Sequence, residues 1–163
     1  MKKLFTLLLL GSALVMTSCG SSSKTDDTTS VESVDYSNAS LEVNGDSDSG
    51  KAGALRTVYF AFNSSGLSSS TKATLEANAD FLKGNTSVEV QVEGHADERG
   101  GREYNMALGE NRARAIKNYL VALGVDASRI STTSYGKERP ISFGHNEDSW
   151  SQNRRGNFVI IAK

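Results

Sequence analysis

The stretch from Val88 to Gly124 leaves few folds open to this chain. Val88, Val90 and Val92 alternate with Glu89, Gln91 and Glu93, the two-residue period of a strand with one buried face. Gly94 interrupts that run and opens a glycine-rich turn, Gly94-His-Ala-Asp-Glu-Arg-Gly100. The period then becomes helical. From about Arg102 to Leu123, positions 105, 108, 112, 116, 120 and 123 share one face, so Leu108, Ile116, Leu120 and Leu123 form a core stripe that stops at Gly124. A strand and a helix that are each apolar on one side have to cover one another, which predicts a sheet with helices against it.

The flanking segments extend the pattern. Val58-Tyr-Phe-Ala-Phe62 reads as a buried strand closed by the turn Asn63-Ser-Ser-Gly66. Serines 68 to 70 can cap a helix that runs to Lys83, with Leu75, Ala79 and Leu82 on its stripe and Gly84 as its stop. A strand near Ile130 to Ser134, a short helix near Glu147 to Asn153 and a last strand from Asn157 to Ala162 follow. The order βαβαβαβ predicts an α+β, two-layer domain, and no internal repeat is evident.

Two charges stand out. Asp97 lies in the turn after the valine strand, and Arg112 falls on the apolar stripe of the next helix. A charge entering an apolar face is costly unless paired, so Arg112 calls for a carboxylate partner or a bound anion. A carboxylate and a guanidinium side by side suit a zwitterion. Because both sit at a loop or helix edge, replacing either is expected to leave the fold intact.

The first half of the chain differs in kind. Lys2 and Lys3 precede an apolar run from Leu4 to Met16, about 13 residues, the length of a signal-peptide core and too short to span a bilayer. The only cysteine, Cys19, follows Met16-Thr17-Ser18, an arrangement like a bacterial lipobox. On this reading residues 1–18 are removed, Cys19 carries lipid and anchors the protein to a membrane, and no disulfide is possible. From Gly20 to about Gly53 the chain is Ser, Thr, Asp and Gly with scattered Val and Leu, too little apolar surface to repay ordering. Residues 19–53 therefore read as a flexible tether, with a relaxed span of about 30 Å and a drawn length of about 115 Å, and residues 54–163 as the domain. The net charge of −1 provides no broad cationic surface for nucleic acid.

The turn, followed by Tyr104-Asn105, Leu108-Gly109 and Arg112-Ala113, resembles the OmpA-like peptidoglycan-binding domain. Val58-Tyr-Phe-Ala-Phe-Asn-Ser-Ser65, Gly124-Val-Asp126, Ser134-Tyr-Gly-Lys-Glu-Arg-Pro140, Gly144-His-Asn-Glu147 and Trp150-Ser-Gln-Asn-Arg-Arg155 agree with it. The likeness runs from roughly Leu55 to Lys163, about two thirds of the chain, and is greatest to outer-membrane lipoproteins of the Tol system. It implies a mixed four-stranded sheet with the main helices on one face. It also implies a non-enzymatic function without metal or cofactor: a lipoprotein of the outer membrane whose periplasmic domain binds the meso-diaminopimelate stem peptide of peptidoglycan.

In the family the residues matching Asp97 and Arg112 take the ligand's ammonium and carboxylate, the latter with two parallel hydrogen bonds that lysine cannot reproduce. Asn105 matches an asparagine that fixes the ligand or the loop, and Leu108 a pocket residue. Asn63 and Ser64 match a loop that closes over the ligand through backbone groups. The resemblance further implies contact with a TolB-like propeller and other envelope proteins. The chain departs from the pattern where the common Phe-Asp-Phe-Asp becomes Phe60-Ala61-Phe62-Asn63, and where Ala96 replaces a frequent threonine.

Catalytic readings fare worse. Asp97 and Glu98 are adjacent, so in an extended loop they point apart and do not flank one glycosidic bond. Glu93, His95 and Asp97 alternate along one strand and His145 could join them around a metal, yet the chain has 2 histidines, and one beside Gly94 more often organises a loop.

Overall fold

The computed structural model describes residues 41–163. The leader, Cys19 and residues 19–40 of the expected tether lie outside the described residues. Seven elements form the domain: β1 (Val58–Tyr59), α1 (Ser69–Gly84), β2 (Glu89–His95), α2 (Arg102–Ala122), β3 (Ile130–Gly136), α3 (Glu147–Asn153) and β4 (Arg155–Ala162), with a 3-10 turn at Ala127–Arg129. The sheet has the order β1-β4-β2-β3. β4 runs antiparallel to both β1 and β2, whereas β2 and β3 are parallel. This is the mixed four-stranded sheet expected of the family.

Local chemistry explains the helix ends. The Ser68 hydroxyl accepts from the Thr71 amide at 3.1 Å and opens α1, and the Asn146 side chain accepts from the Ser149 amide at 3.0 Å and opens α3, each replacing a hydrogen bond that a first helical turn lacks. One face of the sheet carries Val90, Val92, Phe158 and Ile160, and α1 and α2 cover it with Leu75, Ala79, Leu82, Ile116 and Leu120. Leu108 and Leu123 are only partly buried.

Backbone contact brings α2 close to β2. A Cβ built on Gly94 would lie 1.8 Å from the Gly109 carbonyl oxygen, and one on Gly109 would lie 2.6 Å from the Gly94 oxygen. Only a glycine pair permits that approach, and it sets the helix carrying Arg112 directly against the strand leading to Asp97.

Two expectations need correction. The first strand ends at Tyr59 rather than Phe62: Phe60 is buried, but Phe62 is 58% exposed. The chain there turns away toward Asn63, whose φ is 53°. The tether also ends earlier than its composition implies. Residues 41–52 form a strap on the outer edge of β4, where the Asn44 amide donates to the Ile160 carbonyl (2.8 Å), the Ile160 amide to the Gly45 carbonyl (3.0 Å) and the Ser47 amide to the Phe158 carbonyl (2.9 Å). Backbone pairing and polar side chains hold the strap, so it needs little apolar surface of its own. Ala52, at its end, and Leu55, just after it, are fully buried in the core. Among the described residues no helix is long and apolar enough to cross a membrane.

Candidate functional site

A cavity of about 160 Å³ opens between the loop after β1 and the turn after β2. Of the residues singled out in the sequence, Asn63, Asp97, Asn105, Leu108 and Arg112 line it, while Ser64 contributes from behind through its backbone.

Arg112 has no exposed surface. Its Nε donates to the Ser64 carbonyl at 2.8 Å, Nη1 to the His95 carbonyl at 2.6 Å and Nη2 to the Ala61 carbonyl at 3.0 Å, and the Phe60 ring lies 5.0 Å from the guanidinium carbon. Three carbonyl dipoles, rather than a carboxylate, make the burial tolerable. The expected need for a paired acid is thereby met another way. Arg112 also ties the loop after β1 to the end of β2, so it belongs to the fold and is no helix-edge residue. Burial lowers its pKa to about 10, against the opposing pull of Asp97, and the group remains a cation at neutral pH.

Asp97 is equally enclosed, 3% exposed. Its Oδ1 accepts from the Arg99 amide (3.1 Å) and Arg99 Nε (3.2 Å), and its Oδ2 from Arg99 Nη2 (2.6 Å) and Arg154 Nη1 (3.3 Å). Burial raises its pKa, but the hydrogen bonds from Arg99 and Arg154 outweigh that and hold the carboxyl below the usual carboxylate range. Arg154 also donates to the Phe60 carbonyl at 3.0 Å and pairs with Glu147 at 2.5 Å. Of the charged side chains that line the cavity, Arg99 and Arg112 face Asp97, an excess of one positive charge.

Arg99 and Arg154 are partners of Asp97 that periodicity does not reveal. Arg99 could be found from its place two residues after Asp97. Arg154 stands 57 residues away in sequence, within the Trp150 to Arg155 motif but without a local signal of its partner. The Arg99 guanidinium is held between the Phe62 ring at 4.0 Å and the Trp150 ring at 4.1 Å. Asn105 fixes the turn, donating to the Arg99 carbonyl at 2.9 Å and the Gly101 carbonyl at 3.1 Å. Tyr104 donates its hydroxyl to the Asn63 side chain across the mouth.

The catalytic constellations do not assemble. Glu98 turns outward to His145 and Trp150, each at 2.8 Å, away from Asp97. Glu93 and His95 face each other at 3.3 Å on the opposite side of the sheet from Gly94. Among the described residues no group of three or more His, Cys, Asp or Glu is placed to hold a metal ion.

Residues 59–154 match the profile of the OmpA family. The chain belongs to the OmpA family. Among OmpA-family proteins, the peptidoglycan-associated lipoprotein of Pseudomonas aeruginosa is 50% identical over 109 residues, covering 67% of this chain and 64% of that one, just under two thirds of its length. The peptidoglycan-associated lipoprotein of Pasteurella multocida is 42% identical over 156 residues, 95% of this chain and 97% of that one. The crystal structure of the peptidoglycan-associated lipoprotein from Burkholderia pseudomallei is similar with a TM-score of 0.63 and 42% identity, covering 66% of this chain and 91% of that chain.

Proposed function

We propose that this chain is a non-enzymatic, lipid-anchored tether that binds peptidoglycan through the cavity at Asp97 and Arg112. The observation that carries the reading is the pairing of one enclosed carboxylate with a cationic excess in a cavity of about 160 Å³. That arrangement suits a small zwitterionic end group. The free end of meso-diaminopimelate, with its ammonium and carboxylate, is such a group. The ammonium takes the place of the partly exposed Arg99 on Asp97, and the carboxylate meets the N–H groups of Arg112 not used by carbonyls, since a guanidinium has five donors and three are so engaged. The loss of acidic side chains at Ala61 and Asn63 matters little to this scheme, because the loop reaches Arg112 through the carbonyls of Ala61 and Ser64.

Lipid on Cys19 holds the chain in the outer membrane with the domain in the periplasm, and many weak contacts to the wall act together because their local concentration is high. The names of the relatives, peptidoglycan-associated lipoproteins, support this reading. A Tol-Pal-type role, with a TolB-like propeller as an alternative partner, belongs to the same proposal.

Calorimetric titration of residues 41–163 with a stem peptide containing meso-diaminopimelate tests it, with Asp97→Asn as the control. Saturable binding that the control loses is the expected result. A native domain that ignores the peptide while capturing envelope proteins would replace wall binding with protein interaction.

A further inference from the structure

The face of the sheet away from α1 and α2 holds a buried polar network that the binding scheme does not use. Glu93, His95, Arg155 and Asn157 are all buried there. The strap reaches two of them directly, Arg155 and Asn157, while His95 stacks on Tyr135 at 5.7 Å and Glu93 lies 4.0 Å from Arg139. Arg155 Nε donates to Asp48 Oδ2 at 2.6 Å, while the Ser47 hydroxyl (2.8 Å) and the Asp48 amide (3.1 Å) both donate to Asn157 Oδ1. Those two donors fix which way the Asn157 amide points, so its Nδ2 gives to Glu93 Oε2 at 2.9 Å. The same oxygen faces His95 Nε2 at 3.3 Å. The backbone carbonyl of His95 is the one that receives Arg112 Nη1 at 2.6 Å. Hydrogen bonds, joined through the covalent frame of His95 itself, therefore connect the strap to the buried cation of the cavity.

We propose that Asp48 and Asn157 are positioning residues for the ligand site: docking of the strap sets Glu93 and His95, and through them Arg112, so that a docked strap and a filled cavity reinforce one another. This rests on the reading of the cavity as the ligand site.

Two features make the strap an element with two discrete states. Its backbone bonds reach β4 only at its outer edge, near residues 158–160, so it can leave without breaking the sheet. Departure takes from Arg155 the acid that pairs with it. Arg155 lies one residue beyond the Gly94 and Gly156 pair, on the same face of the sheet as Asn157, which holds Glu93, and Glu93 is the carboxylate of this network to which it then turns. Glu93 drawn to Arg155 abandons His95. The network has room to rearrange in this way, because among the described residues His95 Nδ1 and Arg155 Nη1 are buried without a hydrogen-bond partner and so have bonding capacity left to use. Thermodynamic linkage then requires the effect to run both ways.

The test is Asp48→Ala in the full-length chain held in detergent micelles, with Asp48→Asn as a milder variant should the first fail to fold. Three quantities are read: hydrogen exchange of the Asn44 and Ser47 amides, the Arg112 Nε–H resonance, and affinity for the meso-diaminopimelate stem peptide. The expected result is exchange at least about tenfold faster in the strap, a shifted Arg112 signal and affinity about fivefold weaker, within the usual range of coupling between sites. In the native chain the peptide slows Ser47 exchange by a similar factor. Amides of Leu82 and Leu120 in the core helices keep their protection, which separates positioning from general loss of stability. A released strap with an unchanged Arg112 signal and unchanged affinity overturns the proposal. An Arg112 signal that follows the strap in a chain that binds no peptide upholds the relay and places the failure in the ligand reading.

Discussion

The two faces of the sheet are covered by different means. On one, Val90, Val92, Phe158 and Ile160 meet α1 and α2, and the closest approach is made by the glycines 94 and 109. On the other, the buried network of Glu93, His95, Arg155 and Asn157 meets, through Arg155 and Asn157, a strap that is itself polar. Volume specifies the first face, since any Cβ at the contact collides. Partner identity specifies the second, where each buried donor needs its acceptor. The helical face should therefore respond to shape and ignore pH, and the strap face should do the reverse.

The strongest challenge to that contrast is Gly94→Ala. Its methyl would lie 1.8 Å from the Gly109 carbonyl oxygen, in a contact made of backbone that cannot swing aside, and a loss of at least about 3 kcal/mol is expected in chemical denaturation. A near-native midpoint would mean that the helix and strand are not in contact there. Next in size is Arg112→Leu, which leaves the carbonyls of Ala61, Ser64 and His95 without their donor. A loss of about 3 kcal/mol is expected, since hydrogen bonds to a charged group are the strong ones. Should this variant keep native stability and lose only binding, the original expectation of a helix-edge ligand residue would return.

Acid sharpens the comparison. Burial, helped by Arg155, holds His95 below its ordinary 6.5, so the folded chain binds fewer protons there than the unfolded chain. Its contribution is full above pH 6.5 and is lost as the pH falls toward the folded value. Burial alone would raise Glu93, but hydrogen bonds from His95 and Asn157 prevail and keep it below 4.5, as those from Arg99 and Arg154 keep Asp97 below 3.8. Both contribute stability that is full above those values and disappears as the pH falls through the lower folded ones. Thermal melts should thus fall by a few degrees in a first step below pH 6.5, which His95→Gln removes, and again below pH 4.5. The smallest effect belongs to Arg102→Ala: its 3.4 Å pair with Glu138 is well exposed, and less than about 0.5 kcal/mol is expected.

Periodicity made the helical face legible. The alternating valines, the stripe through Ile116 and Leu120 and the serine cap at residue 68 all survive in the structure, because apolar burial leaves a repeating mark. The strap left none. Its segment contributes Leu41 and Ala52 to the packing and otherwise holds on through Asn44, Ser47 and Asp48, which composition cannot distinguish from solvated linker. Phe62 misled in the opposite sense, since an aromatic beside a strand reads as core, whereas here its ring lies against Arg99. The site was half visible. Asp97 and Arg112 stand out as charges at the wrong place in a pattern, and Arg99, the main partner of Asp97, is two residues along the chain, but Arg154 and the three carbonyls that hold Arg112 come from segments that only the fold brings together.

One feature of the strap bears on how the domain carries load. Leu41, where the described chain begins, accepts a hydrogen bond from the Lys163 side chain at 2.6 Å, at the end of the sheet where Glu89 pairs with Ala162. The cavity lies past His95, at the other end of the same strand. A pull on Leu41 against a ligand held at Asp97 therefore acts along the strands, over roughly 25 Å at about 3.3 Å per residue. The hydrogen bonds between the strap and β4 and those between β4 and β2 would be loaded in shear instead of opening singly like a zipper, and the domain would resist such a pull best along its strands.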